Sequence, residues 1–361
     1  MSCGARLPGV IKREGIEHIM RIISKGLAAA CAAAAFFGGT TAVAAPAYRL
    51  AATIPLGAPD RWDYVVSDPA NRRVYVAHGD RLAVLDAGSS ALVGSVEGIA
   101  GGTHGTAVSA ATGVGLTDDG QAGKAVVFDL KSLKIVKLIP ADEDADGIAA
   151  DPLTGHMFVI EGDPGAITVI DPKAQSAVAT IKAGEKMEYA VAGEPGAVYV
   201  AGEAKRDLLK VDARTDRIVA RWSTPDCASP HGLAYDASAR RLFMGCVNSL
   251  MMVVDATSGR VVATLPIGRG SDAIAFDPQR RRVFSANGLD GTVTVYQQRS
   301  PDRYEALEPL RTLVSGRTMA VDPPTGRLFV AAADTTANPT PGGRPRPVSG
   351  TLRVLVFEPV R

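Results

Sequence analysis

The stretch RRLFMGCVNSLMMVVDATSGRVVATLPIG, residues 240–268, carries the plan of the whole chain. It reads as three short β-rich runs, RRLFMG, LMMVVD and VVATLPIG, with the aspartate that ends the second run opening a turn. The first run recurs as RRVYVA (72–77), GHMFVI (155–160), GAVYVA (196–201), RRVFSA (281–286) and GRLFVA (326–331). The second recurs as RLAVLD (81–86), KAVVFD (124–129), AITVID (166–171), DLLKVD (207–212) and GTVTVY (291–296). Asp86, Asp129, Asp171, Asp212 and Asp255 stand 43, 42, 41 and 43 residues apart.

Each unit also has an inner run ending near Asp-Pro, which makes four strands per unit. Four strands in about 40–45 residues is the pattern of a β-propeller blade. Seven units are counted, so the expected fold is all-β, a seven-bladed propeller with four antiparallel strands per blade. The last unit ends after its third strand, whereas LAATIPLG (50–57) near the start copies the outer strand VVATLPIG. The N-terminal strand is therefore expected to complete the last blade, because an unfinished blade leaves an unpaired edge. Composition agrees: Gly 38 and Pro 23 against 5% aromatic residues suit many short strands and tight turns. A net charge of +1 lacks the basic excess of a nucleic-acid binder.

The repeats resemble those of the YVTN/YncE-like β-propellers, over residues 48–361. WDYVVSDPANRRVYVAHGD (62–80), residues 240–268 and GRTMAVDPPTGRLFV (316–330) resemble an exported bacterial subgroup of that family. The resemblance implies fold and export; its shared residues build blades and say little about activity. His231 stands where that subgroup carries Thr, so a metal site built on it is no subgroup property.

The first residues read differently. Met20 is followed by Arg21 and Lys25, an apolar run from Leu27 to Phe37, and Ala42-Val43-Ala44. This is the order of a secretory signal peptide, with cleavage expected after Ala44 and residues 1–19 as an upstream extension. The run falls short of the roughly 20 apolar residues that span a bilayer, and too few precede Cys31 for a lipoprotein site. Residues 1–44 are thus set apart from one domain, 45–361, expected to be periplasmic or secreted, monomeric and without a membrane span. Cys227 and Cys246 remain, and two cysteines in an oxidising compartment suggest a disulfide.

The recurrent aspartates, with Asp68, Asp151, Asp236, Asp277 and Asp322 in the turns after the inner strands, read as turn holders. The arginines at 72–73, 240–241 and 280–282 fall in the same turns, where those aspartates cancel their charge. Function is expected where the repeat does not repeat. The residue five before each Asp-Pro position is Asp63, His104, Asp146, Glu188, His231, Asp272 or Arg317, spaced 41, 42, 42, 43, 41 and 45 residues apart. Inner strands start at the rim of the central channel, so seven ionisable groups are expected around one mouth, with Trp62 beside them. Blade packing asks for no such ring, since a partly buried charge costs free energy unless paired.

Such a ring suits a small ligand or protein partner, and His104, His231, Asp146 and Glu188 are the candidate ligands of a divalent metal, the one cofactor suggested. The alternative is structural, with Arg317 pairing Asp272 or Asp63. His78 and Glu161 are secondary candidates on the same face, His156 is placed on the opposite face, and the long loop 334–349 is expected to form a flap. No GxSxG, HExxH, Walker or dinucleotide motif occurs. The leading expectation is a binding or scaffold propeller. A metal-dependent hydrolase, lactonase or lyase is the first alternative; single-stranded nucleic-acid binding, associated with one member of the wider family, is the second.

Overall fold

Each apolar run of the repeat forms a strand, and neighbouring runs pair antiparallel. The computed structural model describes residues 47–338 and 344–360; the expected export segment lies outside them. Six blades run in sequence order, covering 65–97, 106–140, 145–182, 187–223, 230–266 and 271–306. The seventh is built from both ends of the chain, in the order Tyr48–Pro55, Arg353–Pro359, Arg327–Ala332, Thr318–Asp322. The N-terminal strand therefore closes the last blade, pairing Tyr48 with Pro359 and Pro55 with Arg353. The inner strands touch in order round the ring, the last against the first. Among the described residues the sole helix is one 3-10 turn, Gly120–Ala122.

Burial follows the layers. Second and third strands lie between two blades, so runs such as Arg73–His78 are buried on both faces, while the outer strand Leu92–Glu97 is mostly exposed. Every blade keeps one fully buried aromatic ring, among them Tyr75, Phe158, Phe243 and Phe329 on second strands. In blade 2 that ring, Phe128, is on the third strand, opposite Gly115. A Cβ on Gly115 would lie 2.1 Å from the Phe128 ring, so the glycine makes the exchange fit.

The turn aspartates hold the bends as expected. Asp86 accepts from the Ser89 amide at 2.6 Å, Asp151 from Thr154 at 2.8 Å and Asp277 from Gln279 at 2.9 Å. A disulfide joins Cys227 to Cys246, whose Cα atoms are 5.2 Å apart. The ladder partner of Cys246 is Pro230, which brings Cys227 alongside.

Candidate functional site

The inner strands crowd at the axis, and this positions the ring. In blades 3 to 6 the first ladder pair is followed by a register shift, after Ala145, Met187, Pro230 and Ser271. Asp146, Glu188, His231 and Asp272 each occupy the first position of such a bulge, a device that re-aims a side chain. In blades 1, 2 and 7 the ladder starts just after Asp63, His104 and Arg317. The next residue is often glycine because the adjoining blade leaves no room. A Cβ on Gly105 would lie 2.2 Å from the Asp146 carbonyl, and one on Gly232 would lie 2.3 Å from that of Asp272.

The seven groups divide into smaller sets. Arg317 Nε lies 2.7 Å from Asp272 Oδ2, its Nη2 lies 3.5 Å from Asp63 Oδ2, and its guanidinium stands 5.5 Å over the Trp62 ring. His104 turns away to Asp118: Nδ1 is 2.7 Å from Oδ2, and the amides of His104 and Gly105 donate to Oδ1. His231 Nε2 lies 3.7 Å from Glu188 Oε1, while its Nδ1 lies 2.9 Å from the Ser229 carbonyl. Glu188, His231 and Asp272 each bring a ligating atom within 4.8 Å of the others. Of the four candidate metal ligands, His231 and Glu188 thus meet with Asp272, whereas His104 is committed to Asp118 and Asp146 stands outside the cluster.

The electrostatics are those of crowded acids. Burial, with the Glu188 and Asp63 charges, pushes the Asp146 carboxyl far above the carboxylate range. Burial pushes Glu188 up to about 7, against a lowering by His231 and with a further rise from Asp272. Asp63 is raised by burial in spite of Arg317. Asp146 has no hydrogen-bond or ion-pair partner among the described residues. The His104 ring is driven down by burial, but its hydrogen bond and charge contact with Asp118 carry it above the ordinary value.

Three residues were missed in the sequence. Asp118 is the penultimate residue of VGLTDD (114–119), the second-strand run that departs from the repeat. Tyr64 and Tyr189 follow ring positions where other blades carry Gly, Ala or Thr, and that departure was the signal. Their rings lie 4.4 Å apart, and the Tyr64 hydroxyl donates to Glu188 Oε1 at 3.4 Å, linking blade 1 to blade 4. Beyond Tyr189 lies a cavity of about 240 Å³ lined by Val66, Ser67, Phe276, Met319 and Val321, with no ionisable side chain in its wall other than Tyr189.

The secondary candidates are tied elsewhere. His78 Nε2 donates to the carbonyls of Gly57 and Pro59, and Glu161 accepts from Thr168 and the Asp142 amide. His156 lies in the turn before the strand Met157–Glu161. The described parts of loop 334–349 form a short hairpin, Thr335–Thr336 with Arg346–Pro347, held by an Arg353–Asp334 ion pair. Asp60 fixes the following segment by accepting from the amides of Gly350, Thr351 and Leu352. Between this loop and the ring lies a cavity of about 210 Å³, walled by Trp62, Leu289, Arg317 and Pro347.

The architecture is shared with several solved structures. The chain is similar to a chain titled RRP9 WD40 repeats (TM-score 0.74, 11% identity, covering 87% of this chain and 100% of that one). It is also similar to a chain of the mitotic checkpoint complex (0.69, 13%, 86% and 92%) and to one of Kuenenia stuttgartiensis hydrazine synthase (0.66, 14%, 77% and 93%). At these identities the likeness shows the fold alone: the protein is a seven-bladed β-propeller. No protein-family model matches the sequence, and no curated protein does. Among the described residues no helix is long and apolar enough to cross a membrane.

Proposed function

We propose that the protein is an exported propeller of the YVTN/YncE-like type, periplasmic or secreted, that binds a positively charged ligand or partner group at its channel mouth. The observation that carries this reading is the Asp146 carboxyl, which has no hydrogen-bond or ion-pair partner among the described residues and is crowded by Glu188 and Asp63, so that it holds its proton until a cation compensates the charge. Trp62 and the cavity next to Arg317 supply an apolar wall for the rest of a ligand.

Replacing Asp146 with Asn and Glu188 with Gln keeps shape and removes charge. Calorimetric titration of putrescine and of calcium is expected to give binding to the native protein that weakens tenfold or more in the double variant, with folding retained in a thermal melt. Equal binding by both proteins, or no binding by the native one, overturns the proposal.

A second reading, a metal-dependent hydrolase, lactonase or lyase, draws on the Glu188–His231–Asp272 cluster, where an ion would polarise a substrate oxygen. Nucleic-acid binding finds less support. Arg241 is paired with Asp255 and Asp302, and Arg280 with Asp277, so these turn arginines carry little free charge.

A further inference from the structure

We infer that Glu188, His231 and Asp272 form a site for one divalent transition-metal ion of the zinc type; this rests on the channel mouth being a cation site and names the cation. The first support is donor geometry. The three ligating atoms lie within 4.8 Å of one another and come from consecutive blades. Each residue sits in a bulge of a hydrogen-bonded strand, a rigid mounting rather than a mobile loop. Tetrahedral donors about 2.1 Å from an ion stand about 3.4 Å apart, so binding draws the cluster in by about 1 Å.

The second support is the state of His231, which is only 8% exposed. The Ser229 carbonyl can only accept, so the hydrogen of the neutral ring resides on Nδ1. The Nε2 lone pair then faces Glu188 and Asp272 and makes no hydrogen bond among the described residues. A carbonyl fixing one ring nitrogen while the other faces carboxylates is the arrangement found around histidine ligands of metals.

Arg317 plays the equivalent positioning part for Asp272, engaging Oδ2, while the second oxygen has no hydrogen-bond partner among the described residues. One imidazole nitrogen with two carboxylates favours zinc, cobalt or manganese over calcium and magnesium, which take all-oxygen shells. Three protein ligands leave a coordination position open toward the channel, the pattern of reactive rather than structural zinc.

The test uses the full chain, stripped with chelator and dialysed, titrated with zinc in a calorimeter and with cobalt(II) by visible absorption. His231→Thr and Asp146→Asn are compared with the native protein, each checked by thermal melt, with putrescine titrated in parallel. The expected result is one ion per chain, a cobalt d–d band, a loss of tenfold or more in affinity in H231T, and retention of the site in D146N. If H231T shows a weakened melt, the cobalt band of the native protein decides, since an imidazole ligand shifts it from the all-oxygen spectrum.

Zinc bound equally by H231T, or a native cobalt spectrum of all-oxygen type, overturns the inference. Putrescine binding without zinc binding overturns it while sparing the broader cation reading. Binding of neither overturns both.

Discussion

Glu188 shows most clearly what a single side chain contributes to the mouth and costs the fold. Its carboxyl is raised from 4.5 to about 7, chiefly by burial, so the folded protein holds a proton that the unfolded chain has released. The stability it contributes is complete below pH 4.5 and is lost as pH rises through about 7. Asp63 and Asp146, raised by the same cause, act in the same direction, whereas His78, lowered by burial, acts in the opposite one. Glu188→Gln is therefore expected to unfold at higher denaturant than the metal-free native protein at pH 8, by about 1–3 kcal/mol, and to match it near pH 4.5. Denaturant melts across that range check this; a difference independent of pH contradicts it. At this scale the ring was legible because its positions break the repeat. Asp118, Tyr64 and Tyr189 break it too, but spacing along the chain carries no information on how deep a side chain reaches into the channel, so their part in the site shows only in the folded ring.

The strand Tyr48–Pro55 buries Tyr48 and Ile54 and covers the edge of Arg353–Pro359. Burying two such side chains stabilises by about 3–6 kcal/mol, so deleting residues 45–57 is expected to lower the melting temperature by roughly 10 °C or to cause aggregation. An unchanged melt would refute the shared blade.

The disulfide acts within blade 5. It closes a loop of sequence separation 19, and reduction with dithiothreitol is expected to cost about 3 kcal/mol. Melts with and without reductant that superimpose would contradict this. Strand order, the closing strand and the cysteine pair could be read from the repeat because each depends on chain position and apolar period. The bulges could not: they arise where inner strands converge on the axis, a crowding that exists only once the ring has closed.

Taken as one molecule, the propeller presents two unlike ends of one channel. One mouth gathers four acids, two histidines and an arginine; the other opens on Val66, Ser67, Phe276 and Met319, with Tyr64 and Tyr189 between them. Of the turn arginines on the second face, Arg241 and Arg280 are paired with aspartates and carbonyls, whereas the ring gathers ionisable groups from all seven blades at one mouth. The seven-fold repeat explains how one residue per blade reaches the same place, and the loss of repetition there explains why the site is built differently in each blade. The central claim is that this mouth takes up positive charge as a transition-metal ion held by Glu188, His231 and Asp272. Anomalous diffraction from crystals soaked in cobalt(II) tests it most directly. A single strong peak bounded by Glu188, His231 and Asp272 is expected; a map with no peak at the channel mouth would contradict the claim.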